Sequence, residues 1–307
     1  MDLQVSWEMA CPACRAQCGL LDENSGSTEC AECRAVYPQI NGIWRFLAAG
    51  REERFAPFLR DYTRIRLAEG RGSDCGEFYR RLPECRADHP LAWQWNIHRI
   101  TFDCLRRRVL PRLGIGSKIL DLGAGVGWLS YRLAELGHHP CAIDLSLDDQ
   151  DGLGAARHFS PCWPRLQGEF DRLPIASGSV DGVLLNSSLH YSNDYRVTLG
   201  EALRVLRPSG WLMVMESPIY RRLKSGRQMV AQRRADFERR YGTPSDALPS
   251  QEFLTWRKLD ALAGELGIRW KALRPWYGWK WALRPWKALL NRQREPARFV
   301  ILLANKR

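Results

Sequence analysis

Between residues 118 and 217, short apolar runs alternate with segments whose apolar residues recur at helical spacing. Lys118-Ile119-Leu120-Asp121-Leu122 is rich in β-formers, and glycines follow at 123, 125 and 127. From Trp128 to Leu136 the period is helical. Continued along the chain, the pattern predicts strand 118–123, helix 127–136, strand 140–145, helix 149–157, strand 165–170, strand 180–187, helix 194–206 and strand 211–217. Residues 298–304 read as a closing strand. Alternation of this kind gives an α/β, doubly wound, mainly parallel sheet with helices on both faces.

The flanks read differently. Residues 49–110 are arginine-rich and helical in pattern, with breakers at Gly70 to Gly76, Pro83 and Pro90. Trp93, Trp95, Ile97, Ile100, Phe102, Leu105 and Val109 predict a mixed apolar helix that ends before Pro111. After the strand at 211–217, Arg221 to Tyr241 is charged with a helical period. Thr243-Pro244-Ser245-Asp246 predicts a turn with a helix start soon after. Ala272-Leu273-Arg274-Pro275-Trp276 recurs as Ala282-Leu283-Arg284-Pro285-Trp286; a paired loop or hairpin and a chance duplication both fit.

A strand, a tight glycine turn and a helix form the nucleotide-binding corner of such a sheet, because a side chain in the turn would hold a ligand off the backbone. Asp144 lies 21 residues after Gly123, at the end of the next apolar run, where a carboxylate can accept from ribose hydroxyls. A dinucleotide fingerprint would place another glycine at 128, but that residue is Trp128. The G-x-G-x-G spacing resembles motif I of class I S-adenosylmethionine-dependent methyltransferases. Gly168 to Ile175, with Ser179-Val180-Asp181-Gly182-Val183, resembles a signature of the type 11 methyltransferases, and Leu206 to Leu212 resembles their turn into the fifth strand. The resemblance covers about residues 112 to 218. It implies a seven-stranded Rossmann-like sheet with S-adenosyl-L-methionine beyond the carboxyl ends of its strands. The cofactor site it implies comprises Asp121, Gly123, Ala124, Gly125, Gly127, Asp144, Leu145, Glu169, Phe170, Asn186 and Ser187. Glu169 stands where that family usually has Asp near the adenine, leaving open whether Glu169 or Asp171 does this work. An α/β domain binding another nucleotide is the plainer alternative.

Four of the ten cysteines stand as Cys11-x2-Cys14 and Cys30-x2-Cys33, fifteen residues apart. Two such knuckles fit a structural zinc ribbon. Some forty residues bury too little apolar surface to hold themselves together, and a metal offsets that deficit. The segment ending Tyr37 to Leu47 resembles ribbons fused to methyltransferases, and it is similar to the zinc-ribbon activator subunit of tRNA and protein methyltransferases and to the zinc module of bacterial rRNA guanine methyltransferases. The organisation expected is therefore a ribbon over 1–48 with a core of its own, a helical cap or linker over 49–110, and a methyltransferase domain over 111–307.

Charge and aromatics change the picture at one end. Of the formal net charge of +12, residues 219–307 hold 21 Lys and Arg against 7 Asp and Glu, while the rest is slightly acidic. Six of thirteen Trp lie in the same part. The basic, Trp-rich stretch within 219–292 suggests an acceptor region with an anionic partner, RNA or a membrane surface. A solvated, arginine-rich face is the competing reading, since only 7 of the 46 basic residues are Lys. No apolar run is long enough to span a bilayer. Asp2 and Glu8 argue against a signal peptide, so a cytoplasmic location with reduced thiols is expected.

Methyl transfer needs a base only when the acceptor must lose a proton. His190 and Tyr191, just past the fourth strand, are the candidates. The surrounding Asn186-Ser187-Ser188-Leu189-His190-Tyr191 is not the N-P-P-Y type of adenine amino-group methylases. The expected activity is methyl transfer to a small-molecule or lipid-like acceptor. The alternatives are RNA methylation through the ribbon and basic region, and a non-catalytic S-adenosylmethionine-binding module. The sequence sets no oligomeric state.

Overall fold

The computed structural model describes residues 5–22, 25–160 and 162–306; Asp2 lies outside them. The chain begins with two short hairpins. Strands β1 (Glu8–Ala10) and β2 (Gln17–Leu20) pair antiparallel, as do β3 (Ser27–Glu29) and β4 (Val36–Ile40), and β5 (Ile43–Arg45) folds back on β4. Three helices follow: α1 (Arg51–Ala68), α2 (Gly76–Arg81) and α3 (Ala92–Arg108). The alternating part then runs β6 (Lys118–Leu122), α4 (Trp128–Glu135), β7 (His139–Asp144), β8 (Arg165–Gln167), β9 (Val180–Asn186), α5 (Tyr195–Val205) and β10 (Leu206–Met215). The C-terminal part holds β11 (Ile219–Tyr220), α6 (Leu223–Tyr241), β12 (Leu254–Thr255), α7 (Trp256–Leu266), β13 (Lys271–Leu273), α8 (Trp279–Ala282), α9 (Arg284–Leu290) and β14 (Ile301–Asn305).

The main sheet runs β13-β14-β10-β9-β6-β7-β8-β5-β4-β3. Its first seven strands are the doubly wound sheet that the periodicity predicts: β8, β7, β6, β9 and β10 are parallel, and β14 runs antiparallel to β10. Central strands are apolar on both faces because helices cover both sides. In β9, six consecutive residues, Val180 to Leu185, are buried.

The ribbon does not stand apart, which corrects the separate core expected for it. Strand β5 pairs in parallel with β8 through Trp44↔Leu166 and Arg45↔Gln167, so the sheet has ten strands rather than seven. Trp7, Met9, Tyr37, Trp44 and Phe46 share one apolar cluster with Leu120, Leu122 and Leu166. Full burial of such side chains stabilises by about 1.5–3 kcal/mol each, and here that burial joins ribbon to sheet.

Three further expectations change. The helix at 149–157 is a 3-10 segment, Leu153–His158. Asp148 Oδ1 accepts from the amides of Gln150 and Asp151, a local turn that competes with helix. No helix starts soon after Asp246; the chain stays irregular up to β12, whose Thr255 then caps α7 by accepting from the Lys258 amide. The repeated pentapeptides form no hairpin. The first starts in β13, whereas the second bridges α8 and α9.

Candidate functional site

The three glycines of the turn do three different things. Gly125, at φ 54°, has no atom within 4 Å of where a Cβ would sit, so its open side faces a cavity beyond the carboxyl ends of β6 and β7. Gly123, at φ 74°, would push a Cβ to 2.4 Å from Ser188 Cβ, so it permits close packing of the loop after β9. Gly127, at φ 80°, opens α4 and abuts Trp163, away from the cavity lining. All three lie in the left-handed region that glycine tolerates.

Asp144 ends β7. Its Oδ2 accepts from the Gly125 amide and its Oδ1 from the Ser146 amide, each at 2.8 Å. Burial pushes its carboxyl upward, and these two amides oppose the shift. Asp121 is buried in β6 and accepts from Ser130 Oγ at 2.8 Å. Burial pushes it up to about 7, against the Ser130 bond, with the Asp144 charge adding to the rise.

One cavity collects most of the predicted residues. Asp121, Gly123, Ala124, Gly125, Asp144 and Leu145 line one side. Glu169, Phe170, Asp171, Asn186, Ser187 and Tyr191 line another. Asn186 Oδ1 and Asn193 Oδ1 are buried with no hydrogen-bond partner among the described residues, an arrangement that a polar ligand satisfies. Ser187 holds a non-glycine φ of 53°, and strain of this kind clusters at ligand sites.

His190 is not among the lining residues, although Tyr191 is. Burial, then the Arg233 and Arg66 charges, push His190 down to about 3, so it is neutral and weakly basic near pH 7. Tyr191 packs against Phe58 and Tyr62 of α1.

The helices before the first strand supply groups that no motif announced. Arg51 of α1 holds Glu169: Nε donates to Oε1 at 2.8 Å, and Nη2 bonds Oε2. Asp171 instead accepts from Thr198 Oγ1 at 2.7 Å. Phe55, Tyr62 and Arg66 of α1, with Trp95 and His98 of α3, close the cavity. His98 Nδ1 lies 2.6 Å from Glu216 Oε2, both side chains nearly inaccessible. Glu216 follows β10 at φ 56°. The helical period of 92–108 was legible; the pairing of His98 with a carboxylate 118 residues later had no sequence signal.

At the N-terminal hairpins the four sulfurs of Cys11, Cys14, Cys30 and Cys33 lie within 4.8 Å of one another. Cys11 and Cys33 are 3.5 Å apart, and Cys14 and Cys30 3.6 Å. A disulfide is near 2.05 Å, whereas thiolates about 2.3 Å from one tetrahedral zinc stand roughly 3.8 Å apart. The amides of Cys33 and Glu32 help pull the Cys30 thiol down to about 6. Each knuckle closes on a left-handed residue, Arg15 or Arg34, whose amide returns to the first cysteine's carbonyl. The donor set therefore fits a structural zinc.

Comparison with known proteins decides the class. Residues 120–214 match the family model described as a methyltransferase domain. Over this segment, just under a third of its length, the chain is similar to a methyltransferase domain. The chain is 37% identical over 113 residues to a demethylmenaquinone methyltransferase of Corynebacterium efficiens, covering 36% of this chain and 47% of that protein. It is 35% identical over 106 residues to a malonyl-[acyl-carrier protein] O-methyltransferase of Hahella chejuensis, covering 34% and 38%. The chain thus spans less than half the length of these relatives. A chain from the solved complex of the Haloferax volcanii Trm112 methyltransferase activator shares the fold at TM-score 0.50 and 16% identity, over 83% of this chain and 96% of that one. Among the described residues no helix is long and apolar enough to cross a membrane.

Proposed function

We propose that the chain transfers a methyl group from S-adenosyl-L-methionine to a small-molecule or lipid-like acceptor. The observation that carries this reading is the Gly125–Asp144 corner, open on its cavity side and roofed by α1 and α3. Asp144 keeps a lone pair on each oxygen for ribose hydroxyls. Asp121, Gly123, Ala124 and Leu145 pack along the cofactor, with Gly127 setting the helix behind it. Phe170 offers an apolar wall for the adenine. Because Arg51 occupies Glu169, Asp171, Asn186 and Ser187 are better placed for polar contacts.

The cofactor supplies an activated methyl group, and the protein supplies position and exclusion of water. Trp95 and Tyr62 of the roof, with Trp128 at the start of α4, give the cavity its aromatic wall. His98 takes the base role ahead of His190, since it lines the cavity and His190 does not. Tyr191 remains a second donor or acceptor at the wall. Relatives named for quinone and acyl-carrier-protein substrates support an acceptor of this class.

Zinc on Cys11, Cys14, Cys30 and Cys33 belongs to the same reading, as does a reducing, cytoplasmic location. The division into ribbon, cap and methyltransferase unit at 1–48, 49–110 and 111–307 describes roles along the chain, the 219–292 region forming the acceptor side.

The test is to incubate the protein with methyl-labelled S-adenosylmethionine and, separately, a small-molecule lipid extract and total RNA, then find the label by mass spectrometry. Label in a lipid or small molecule supports the proposal. Label in RNA alone replaces it with the RNA reading, and absence of any product with intact cofactor binding replaces it with a binding module.

A further inference from the structure

The helical pair α8 and α9 presents an apolar stripe to solvent. Trp279, Trp286, Leu289 and Leu290 are 74%, 67%, 70% and 82% exposed. Residues 286, 289 and 290 fall at i, i+3 and i+4, hence on one face of α9, while Ala288 faces inward and is buried. Leu283, also exposed, extends the face by one turn. Exposed large side chains grouped this way mark a binding surface.

Beside the stripe lies a cationic groove. Arg284, Lys287, Arg292 and Arg294 line it with Gln228 and Gln232, and no carboxylate is among its lining residues. Arg284 Nη1 is buried without a hydrogen-bond partner among the described residues, while its guanidinium stacks 3.7 Å over Trp281. The exposed cations of the groove, Lys287 and Arg292, are suited to phosphate oxygens.

We propose that this face docks on an anionic lipid surface. Headgroup phosphates sit in the groove, and Trp279, Trp286, Leu289 and Leu290 enter the interface. Basic residues flanking Trp and Leu on a short amphipathic segment are the chemistry of interfacial binding. RNA fits less well: phosphates suit the cations, but exposed leucines gain nothing from base stacking. The segment is also tied to α3, whose Trp95 and His98 line the proposed cofactor cavity. Tyr277, just before α8, bonds Thr101 Oγ1 of α3 at 2.9 Å, one turn from His98. The inference gives the proposed lipid-like acceptor a route from the bilayer, and it is tested without turnover.

The full chain is sedimented at low salt with phosphatidylcholine vesicles with or without phosphatidylglycerol, and S-adenosylhomocysteine affinity is measured in parallel. The parent is expected to bind the anionic vesicles with a blue shift of Trp emission and to leave the zwitterionic ones. Trp286→Ala/Leu290→Ala and Lys287→Gln/Arg292→Gln each lower vesicle affinity at least tenfold and leave cofactor affinity unchanged. The proposal is overturned if the parent ignores anionic vesicles, if both double variants bind like the parent, or if only a structured RNA is bound. Loss of cofactor binding in the parent would instead strike the methyltransferase reading and leave the vesicle result standing.

Discussion

The amide of Gly125 donates to Asp144 Oδ2 at 2.8 Å, tying the glycine turn to the end of the neighbouring strand. That one bond aims the carboxylate at the cavity and holds the turn open. Asp144→Ala removes this anchor and, with it, the proposed ribose acceptor. A charge-assisted bond is worth about 1.5–3 kcal/mol, so S-adenosylhomocysteine affinity by calorimetry should fall roughly 10- to 100-fold. Equal binding by the variant would remove Asp144 from the site. Gly125→Val should also block binding, since its side chain would project into the space left open at Gly125.

His98 and Glu216 are expected to act as a unit. With an acceptor that must lose a proton, His98→Gln should lower kcat by roughly 10²–10⁴ while cofactor affinity stays within twofold. Glu216→Gln should lower kcat in the same direction, because the carboxylate 2.6 Å from Nδ1 helps to position the ring. His190→Gln should leave the pH–rate profile unchanged, its titration being held near 3 by burial. An unchanged profile in all three variants would mean that no imidazole serves as base.

Zinc is expected at one ion per chain by elemental analysis. Because Trp44 and Tyr37 share a core with Leu122 and Leu166, Cys30→Ser should lower the thermal midpoint of the whole protein rather than melt the ribbon alone. Two well-separated transitions, or a metal-free parent of full stability, would contradict this.

Asp121 predicts a pH dependence of stability. Its carboxyl is raised to about 7 by burial, so between about pH 4 and 7 the folded chain holds a proton that the unfolded chain releases. Stability should therefore fall as pH rises through that window and level off above it, by on the order of 2–4 kcal/mol. Asp121→Asn keeps an acceptor for Ser130 and should flatten this contribution in denaturant titrations. A parent profile identical to that of the variant would show an ordinary pKa for Asp121.

The sequence by itself determined the doubly wound sheet, the glycine turn, Asp144 and the four-cysteine spacing. Each is written in a short window: a run of β-formers buried on both faces, a positive φ that needs glycine, a pair of thiols on one knuckle. Tertiary structure decided what these windows meet. The ribbon continues the sheet because β5 finds the free edge of β8, a pairing over 122 residues from Trp44 to Leu166 that no local period encodes. Gly123 and Gly125 share one motif yet face different surroundings, Ser188 in one case and open cavity in the other. His98 and Glu216 come from a helix and a strand end that only packing brings within 2.6 Å. His190, adjacent in sequence to the lining residue Tyr191, is only half-buried and stays off the cavity lining. Side-chain direction in a loop follows its contacts, and those exist only once the chain has folded.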